Sequence, residues 1–308
     1  MPKAARTEFT RVFTSQCNRL SSNPENISVW ILQLIFIKSI LPAVKHRPDI
    51  SQAKAVKERL ARWRKGEYKA LWEEAVQMSK PRGKSRKKGQ TPHQLSQEEK
   101  NAQRATRLAQ QGEYTRAAQA LLSAGLADHN NSTVRGMQAK HPPPLHPTTF
   151  QSQDENPQLS FTKEQVTRAI RSFKKGSAPG PDGLRAEHLK VSIKSVPPNR
   201  QDKATEAITK VVNMMASGAV PPIVAPFLSG AMLHAGLKKD GGIRPIAVGN
   251  LLRRLTSKCF MYEVADKAAN LLGPHQLGVG VRGGLEAIIH SMRHEGLMVE
   301  DNQSSTKT

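Results

Sequence analysis

The sequence predicts an α+β protein, in which a basic, mostly helical N-terminal region precedes a lobe of helices and one β-hairpin. Three observations support this prediction. Apolar residues recur at helical spacing along much of the chain. Two β-prone runs flank a glycine-rich turn at residues 240–242, and 47 Lys and Arg stand against 25 Asp and Glu. The 308 residues are enough for one large domain or two modest ones.

The excess of basic residues indicates a polyanionic partner. A formal net charge of +22 makes the chain repel itself and attract phosphate-bearing molecules. Neutralising roughly 6–10 phosphates would make such binding strongly dependent on salt. RNA, DNA or both are therefore the expected partners, and the sequence leaves the oligomeric state open.

Two features argue against a membrane or secreted protein. The apolar stretch at residues 29–44 contains Lys38 and Pro42 and is shorter than the roughly 20 residues that a membrane span requires. It predicts a buried helix or helix pair, and no membrane partner. The N-terminus lacks the apolar core of a signal peptide, so we expect a nuclear or cytoplasmic protein that is not secreted.

The two cysteines, Cys17 and Cys259, lie far apart, and neither belongs to a CxxC motif. This spacing excludes a disulfide framework and a cysteine-rich zinc site. Both side chains are expected to be buried or free thiols in a reducing compartment.

Residues 1–145 form the predicted basic leader, which is largely helical. Apolar residues near 63–76 predict a helical face with basic neighbours, and their i, i+3, i+4 spacing at 114–122 predicts an amphipathic helix. Residues 80–97 carry many cations, glycine and proline, and they predict a disordered linker. A proline-rich and polar stretch then predicts an extended connector at residues 146–160.

Residues 161–293 carry clearer local signals. A capping box that begins at Thr162 predicts a helix with an apolar face. A second helix is predicted at about residues 204–217. Asn250 is the expected N-cap of a long helix over residues 251–272, which a Gly-Pro pair ends.

The first motif with chemical interest is GSAPGPDGLRAEHL, which begins at Gly176. Its proline and glycine residues predict a tight, exposed turn followed by a helix. On its own, this pattern is also typical of a loop with no function beyond connecting two helices.

The second motif is LKKDGGIRPIAVGN, which predicts a β-hairpin with a glycine tip. Lys238 and Lys239 end the first strand and Arg244 lies near the start of the second, so the three cations can point at one volume. Such cations can clamp a triphosphate or a nucleic-acid backbone. Pro245 lacks an amide proton, which predicts an edge position.

In order and spacing, three motifs together resemble the reverse transcriptase of non-LTR (LINE-type) retrotransposons. They are APGPDG before an R-A-E-H-L helix, K-x-x-G-G-x-R-P-I before a helix that contains Lys258, and Q-L-G-x-G before another helix. The resemblance covers about residues 161–293, which is less than half of the chain. It implies a partial fingers subdomain of helices and a β-hairpin, without the palm and thumb of that family.

The resemblance also implies roles for individual residues in nucleotide binding. Lys238 or Lys239, together with Arg244, would hold the triphosphate of the incoming nucleotide, and Arg244 would also cover its base. Gln276 and Gly278 would shape the entry to the palm.

A second set of residues would lie beside the template. Gly180, Pro181, Asp182 and Gly183 would form the turn next to the template strand, and Arg185 would contact its backbone. Asp182 is a tempting catalytic acid, but the family places this residue in the turn, so we expect it to be structural.

The carboxylates that nucleotidyl transfer requires are not found in this sequence. The reaction needs two metal ions held by paired carboxylates, and the family carries them on a strand after the Q-L-G helix and in an aromatic-x-Asp-Asp turn. No Phe, Tyr or Trp follows Tyr262 here. We therefore expect no catalytic residue, metal ligand or cofactor in this chain, although the complete family enzyme uses Mg²⁺. Residues 294–308 are predicted to be a disordered tail.

Three functional hypotheses follow from the sequence. The first is a truncated RNA-directed DNA polymerase that binds nucleic acid, binds dNTP weakly if at all, and is inactive. The second is a non-enzymatic, basic nucleic-acid-binding or scaffold protein that carries a relic reverse-transcriptase segment. The third is a chain whose palm is supplied by a partner. Fingers without a palm would expose apolar surface, so residues 160–308 alone are expected to be marginally stable or to aggregate.

Overall fold

The computed structural model describes most of the chain. The described residues are 1–44, 50–79, 95–110, 112–141, 159–238, 240–273, 276–278 and 281–305. The predicted connector at 146–160 lies almost entirely outside these ranges, as does the linker at 80–97 up to residue 94.

The first half of the chain is helical. A short 3₁₀ turn at Lys3–Ala5 leads into the first of seven α-helices among the described residues of this half. In chain order, α1 to α7 are Arg6–Ser22, Ile27–Ile40, Gln52–Arg64, Tyr68–Ser79, Gln97–Ala109, Tyr114–Leu121 and Asn131–Ala139. The apolar stretch predicted to be a buried helix is α2, with Asn26 as its N-cap. No helix in the described ranges is long and apolar enough to cross a membrane.

The second half of the chain adds helices and the predicted hairpin. Its helices α8 to α13 are Lys163–Ser172, Ala186–Lys194, Pro198–Ala216, Ala225–Ser229, Leu251–Leu272 and Gly284–Ser305. Its strands are β1, Ala231–Leu237, and β2, Ile243–Gly249. The described residues therefore form an α+β fold with one small antiparallel sheet, as the sequence predicted.

Several local predictions are confirmed by the cap geometry. The hydroxyl of Thr162 and the side chain of Gln165 form the capping box of α8. Asn250 accepts hydrogen bonds from the first amides of α12, which covers the predicted range. Helix α10 begins about six residues earlier than predicted, because Pro198 occupies its first turn, where the missing amide proton costs nothing.

One hydrophobic core joins the two halves. Helix α1 packs along α10, and the hydroxyl of Thr10 donates a buried hydrogen bond to Ser192 on α9 at 3.3 Å. The core includes Phe9, Phe13 and Phe36 as well as side chains of α8, α9, α10 and α12. The leader and the lobe, which the sequence divided near residue 145, are thus one packed unit over residues 1–79 and 161–259.

The hairpin is extended by the leader. Strand β1 pairs antiparallel with β2, from Ala231 opposite Gly249 to Leu237 opposite Ile243. On the other edge of β1, the amide of Ala127 donates to the carbonyl of Ala235 at 2.9 Å, so a short segment after α6 covers that edge. Pro245 lies on β2, the edge strand, as predicted.

The predicted amphipathic helix at residues 114–122 is α6, and only part of its apolar face is buried. Helix α6 packs on α5 through Ala105, Ala117 and Ala120, while Tyr114 and Leu122 are each 72% exposed. The helix has eight residues, and its small alanine side chains permit the close contact with α5. The larger apolar side chains therefore remain on the outer side.

Helix α5 begins at the predicted end of the linker, whereas most of the predicted disordered tail is helical. Ser96 forms a capping box with Glu99, so α5 begins where the predicted linker ends. Helix α13 continues to Ser305, through most of the predicted tail at 294–308. Leu, Met, Val and Glu in this stretch have enough helix propensity to extend a helix that has already started.

Candidate nucleic-acid interface

The APGPDG turn is packed against the start of α12. A side-chain carbon added at Gly180 would lie 2.6 Å from the carbonyl oxygen of Gly249, so only glycine permits this approach. Gly183 has φ +81°, a conformation that other residues rarely adopt. The turn is therefore fixed to the hairpin's last residue and to the cap of α12.

Asp182 links the turn to α12. Its Oδ2 accepts a hydrogen bond from Nδ2 of Asn250 at 2.9 Å, and its Oδ1 accepts from the amide of Leu184 at 3.2 Å. Burial raises the pKa of the Asp182 carboxyl, although both hydrogen bonds favour the charged form. Asn250 uses its own Oδ1 to cap α12, so one buried pair holds the turn and the helix together.

The predicted template residues are therefore mostly inaccessible. Gly180 and Asp182 are buried, and Pro181 and Gly183 are half-buried, which corrects the prediction of an exposed turn. Arg185 is exposed and is the residue of this group that can reach a nucleic acid. The structural role expected for Asp182 agrees with its hydrogen bonds.

The hairpin places two of its three predicted cations on one face. The amide of Lys238 donates to the carbonyl of Gly242 at 2.8 Å, and Arg244 is two residues further along β2. Because side chains alternate between the two faces of a strand, Lys238 and Arg244 project to the same side. Both side chains are exposed. Lys239 lies outside the described residues.

Cations and aromatic rings alternate along α12 and the end of α8. The guanidinium of Arg254 lies 5.4 Å from the centre of the Phe173 ring, and Nζ of Lys258 lies 5.4 Å from the same centre. Nζ of Lys258 is also 5.5 Å from the ring centre of Tyr262, and the guanidinium of Arg168 covers that ring at 4.7 Å. We call these five residues the cation–aromatic belt.

The belt holds its cations in place without neutralising them. The Arg254 guanidinium donates to the carbonyl oxygen of Ala178 in the turn at 3.2 Å. Among the described residues, Arg168, Arg254 and Lys258 have no carboxylate oxygen within 4.0 Å. The Ser172 hydroxyl and the nearby Lys258 ammonium lower the pKa of the Tyr262 phenol. The belt therefore presents unbalanced positive charge to solvent.

An open groove of about 720 Å³ lies beside the belt, between α8 and α10. It shares Arg168 and Tyr262 with the belt and includes charges of both signs. The other charged residues along it are Lys163, Glu164, Arg171 and Asp202. Three cations and two carboxylates therefore line the groove, so its charge is nearly balanced and the belt itself carries most of the positive charge.

Sequence reasoning found the hairpin cations but missed the belt. In the sequence, Lys258 is notable only as part of a motif, and Phe173 is one apolar residue at the end of the predicted helix that begins after Thr162. The spacing of Arg254, Lys258 and Tyr262 at i, i+4 and i+8 was the available signal, since such residues share one helix face. The contribution of α8 requires the tertiary fold.

No family model, curated protein or solved structure matches this chain. In the part of the chain that the structure describes, no three His, Cys, Asp or Glu side chains converge as metal ligands would. The residues of the site offer cations, aromatic rings and hydrogen-bond donors.

Proposed function

We propose that this chain binds RNA or DNA through the cation–aromatic belt, with Lys238, Arg244 and Arg185 extending the contact. The observation that carries the proposal is the geometry of the belt, in which three cations are held over two aromatic rings and have no carboxylate partner in the described structure. A folded surface of this kind suits a phosphate backbone.

The rings make the cations better phosphate ligands than free surface lysines would be. A cation over an aromatic face gains about 0.5–1 kcal/mol at an exposed site, which restrains a long side chain. A restrained side chain loses less conformational entropy when it binds a ligand. Guanidinium groups add paired donors that match phosphate oxygens.

We further propose that the lobe is the fingers region of a reverse transcriptase of the non-LTR retrotransposon type. The ordered motifs support this proposal, as do the α+β lobe and a hairpin that presents Lys238 and Arg244 on one face. Because the 308 residues contain no aromatic-x-Asp-Asp turn, we propose nucleic-acid binding without nucleotide incorporation by this chain.

Fluorescence anisotropy with a labelled single-stranded RNA tests the binding proposal. The double change Arg254→Gln, Lys258→Gln should lower affinity about 100-fold if each cation contributes about 1.4 kcal/mol. It should also reduce the salt dependence of log K by roughly 1.4, since each contact to a single strand contributes roughly 0.7.

The matched control removes two exposed cations from α3, as Lys54→Gln, Lys57→Gln. This variant has the same net charge as the belt variant, so it reports the general effect of charge. Equal losses of affinity in the two variants would show that binding follows net charge and would overturn the role of the belt.

A second candidate function is a non-enzymatic nucleic-acid-binding or scaffold protein that carries a relic of the polymerase. The shared core favours this candidate, because helix α1 of the leader packs directly on α9 and α10 of the lobe. Primer extension on an RNA template with Mg²⁺ or Mn²⁺ distinguishes both of these candidate functions from an active polymerase. We expect no product, and templated incorporation by the purified chain would contradict both.

A further inference from the structure

A cleft formed by α1, α3 and α4, in the first half of the chain, has the features of an anion site. Helix α1 carries Arg11, Ser15 and Arg19 at i, i+4 and i+8, so they lie on one face. Arg64, the last residue of α3, and Tyr68, the first residue of α4, complete the rim. Together they enclose about 340 Å³, which we call the arginine cleft.

The floor of the arginine cleft is rigid and apolar. Trp63 is 3% exposed, and Val12 is buried beside it. The ring of Trp63 packs edge-on to Tyr68 at 4.7 Å between centres and to Phe36 at 5.0 Å. Because these contacts hold the Trp63 ring in place, the surrounding arginine side chains cannot move into the space that the ring occupies.

The arginines of the cleft are only partly neutralised. Glu8 Oε1 accepts from Arg11 at 3.1 Å and from Arg64 at 3.4 Å, so one carboxylate oxygen serves two guanidinium groups. Arg19 donates to the phenol oxygen of Tyr68 at 3.0 Å, which positions its guanidinium without adding negative charge. Three cations and one carboxylate leave an excess of two positive charges.

Nearby arginines with a structural role have different surroundings. Arg62 donates to Glu67 at 2.7 Å and to both carboxylate oxygens of Glu74. These acceptors raise the pKa of Arg62. Arg59 is buried and donates to the carbonyl of Pro42 at 2.8 Å. The side chains of Arg11, Arg19 and Arg64 are exposed, so they can reach a ligand in the cleft.

We propose that the arginine cleft binds a phosphate monoester, carried either by the 5′ end of a nucleic-acid strand or by a free nucleotide. A phosphate monoester is a dianion near neutral pH, which matches the excess of two charges. Its oxygens suit paired guanidinium donors, and Ser15 and Tyr68 offer hydroxyl groups. The volume is at the lower end of the range for small-ligand pockets.

The arginine cleft is separate from the belt. None of its lining residues lies on α8, on α12 or in the hairpin. Binding of a free nucleotide by the arginine cleft therefore does not depend on the proposed nucleic-acid-binding function. Recognition of a strand end by the cleft does rest on that proposed function.

The test compares two RNA oligonucleotides of one sequence, with a 5′-phosphate or a 5′-hydroxyl group, and it includes AMP and adenosine as free ligands. With the full chain, we expect about tenfold tighter binding of the phosphorylated strand, or measurable binding of AMP with none of adenosine. Anisotropy follows the strands, and tryptophan fluorescence follows the free ligands because Trp63 lines the cleft.

Variants of the cleft residues test whether the arginine cleft causes the preference for the 5′-phosphorylated strand. Arg19→Gln should remove the preference for phosphate, while Arg107→Gln, an equal charge loss on the exposed side of α5, should retain it. Ser15→Glu places a negative charge between Arg11 and Arg19 at an exposed helical position. It provides a second test that does not remove an arginine, and it should also abolish the preference.

The possible results distinguish a strand end from a free nucleotide as the source of the phosphate. They also distinguish failure of the arginine-cleft proposal from failure of the belt proposal. A preference for the phosphorylated strand supports a strand end, and binding of AMP alone supports a free nucleotide. If belt variants abolish RNA binding, the AMP measurement still reports on the cleft. Equal affinity for both strands together with equal affinity for AMP and adenosine would overturn the proposal, as would an unchanged preference in both Arg19→Gln and Ser15→Glu.

Discussion

The part of the core around α1 and α2 and the region from α11 to α13 differ in how many of their large apolar side chains are buried. Phe9, Phe13 and Phe36 are fully buried, with ring centres 5.7–6.0 Å apart. In the second region, large apolar side chains are exposed on each described helix and strand. Those on helices include Phe227, Met261, Leu271, Leu285 and Met292. The aromatic part of the core therefore lies in the first region. The second region contributes Leu251, Leu252 and Leu255 of α12 to the same core but leaves more of its large apolar side chains exposed.

This contrast bears on the three functional hypotheses. Monomeric proteins rarely expose many large apolar side chains in one region, and such surfaces commonly mark an interaction site. Under the third hypothesis, in which a partner supplies the palm, the exposed apolar side chains of α13 would be available for contact with that partner.

The largest predicted effect is on the aromatic core. Phe36→Ala should lower the free energy of unfolding by about 3–5 kcal/mol, because it removes a fully buried ring and leaves a cavity. Its ring contacts Phe9 and Trp63, so the cavity cannot close easily. Urea unfolding followed by circular dichroism measures the change.

The control for this prediction is Phe227→Ala on α11, where the ring is 64% exposed. Its effect should stay within about 0.5 kcal/mol, which is usual for a surface position. If both substitutions have similar effects, the contrast between the two regions is not one of stability.

The next effect concerns the buried link between Asp182 and Asn250. Asp182→Asn replaces the carboxylate with an amide whose Nδ2 faces the Nδ2 of Asn250, so one hydrogen bond is lost. We expect a loss of about 1–3 kcal/mol, since a buried donor is left without an acceptor. Asp202→Asn on the exposed side of α10 is the matched control and should have little effect.

The link also predicts a dependence on pH. Burial raises the folded-state pKa of Asp182 above its ordinary value of 3.8, so the native state holds this proton more tightly than the unfolded state. The resulting stabilisation is complete below pH 3.8 and is lost as the pH rises through the folded-state pKa. The advantage of the wild-type chain over Asp182→Asn should therefore grow as the pH falls from neutral. Unfolding curves across this range check the sign.

The features that the sequence predicted, such as helix caps and ends, depend on residues close together in the chain. The features that it did not predict depend on contacts between residues far apart in the chain. Asn250 and the length of α12 followed from a cap and a Gly-Pro ending that lie next to the helix itself. The burial of Gly180 did not follow, because its neighbours Gly249 and Asn250 lie about seventy residues later. For the same reason, helical spacing predicted that α6 is amphipathic but not which of its faces α5 covers.

The candidate site shows the same limit. The hairpin register places Lys238 and Arg244 on one face, and this arrangement could be inferred from the turn residues and strand alternation. The belt could be inferred only in part. Arg254, Lys258 and Tyr262 share a helix face, but Arg168 covers Tyr262 only because α8 packs against α12.

The smallest expected change in stability belongs to the exposed face of α13. Leu285→Gln, Met292→Gln should leave the free energy of unfolding within about 0.5 kcal/mol of wild type, because both side chains are mostly in solvent. The same variant should reduce concentration-dependent association in sedimentation velocity, since it removes apolar surface that can pair with another molecule. Ile27→Gln, Ile31→Gln on α2 removes two partly exposed apolar side chains from the well-packed region. If both variants reduce association equally, apolar exposure in general drives self-association. That result would contradict a specific role of α13 as a partner surface.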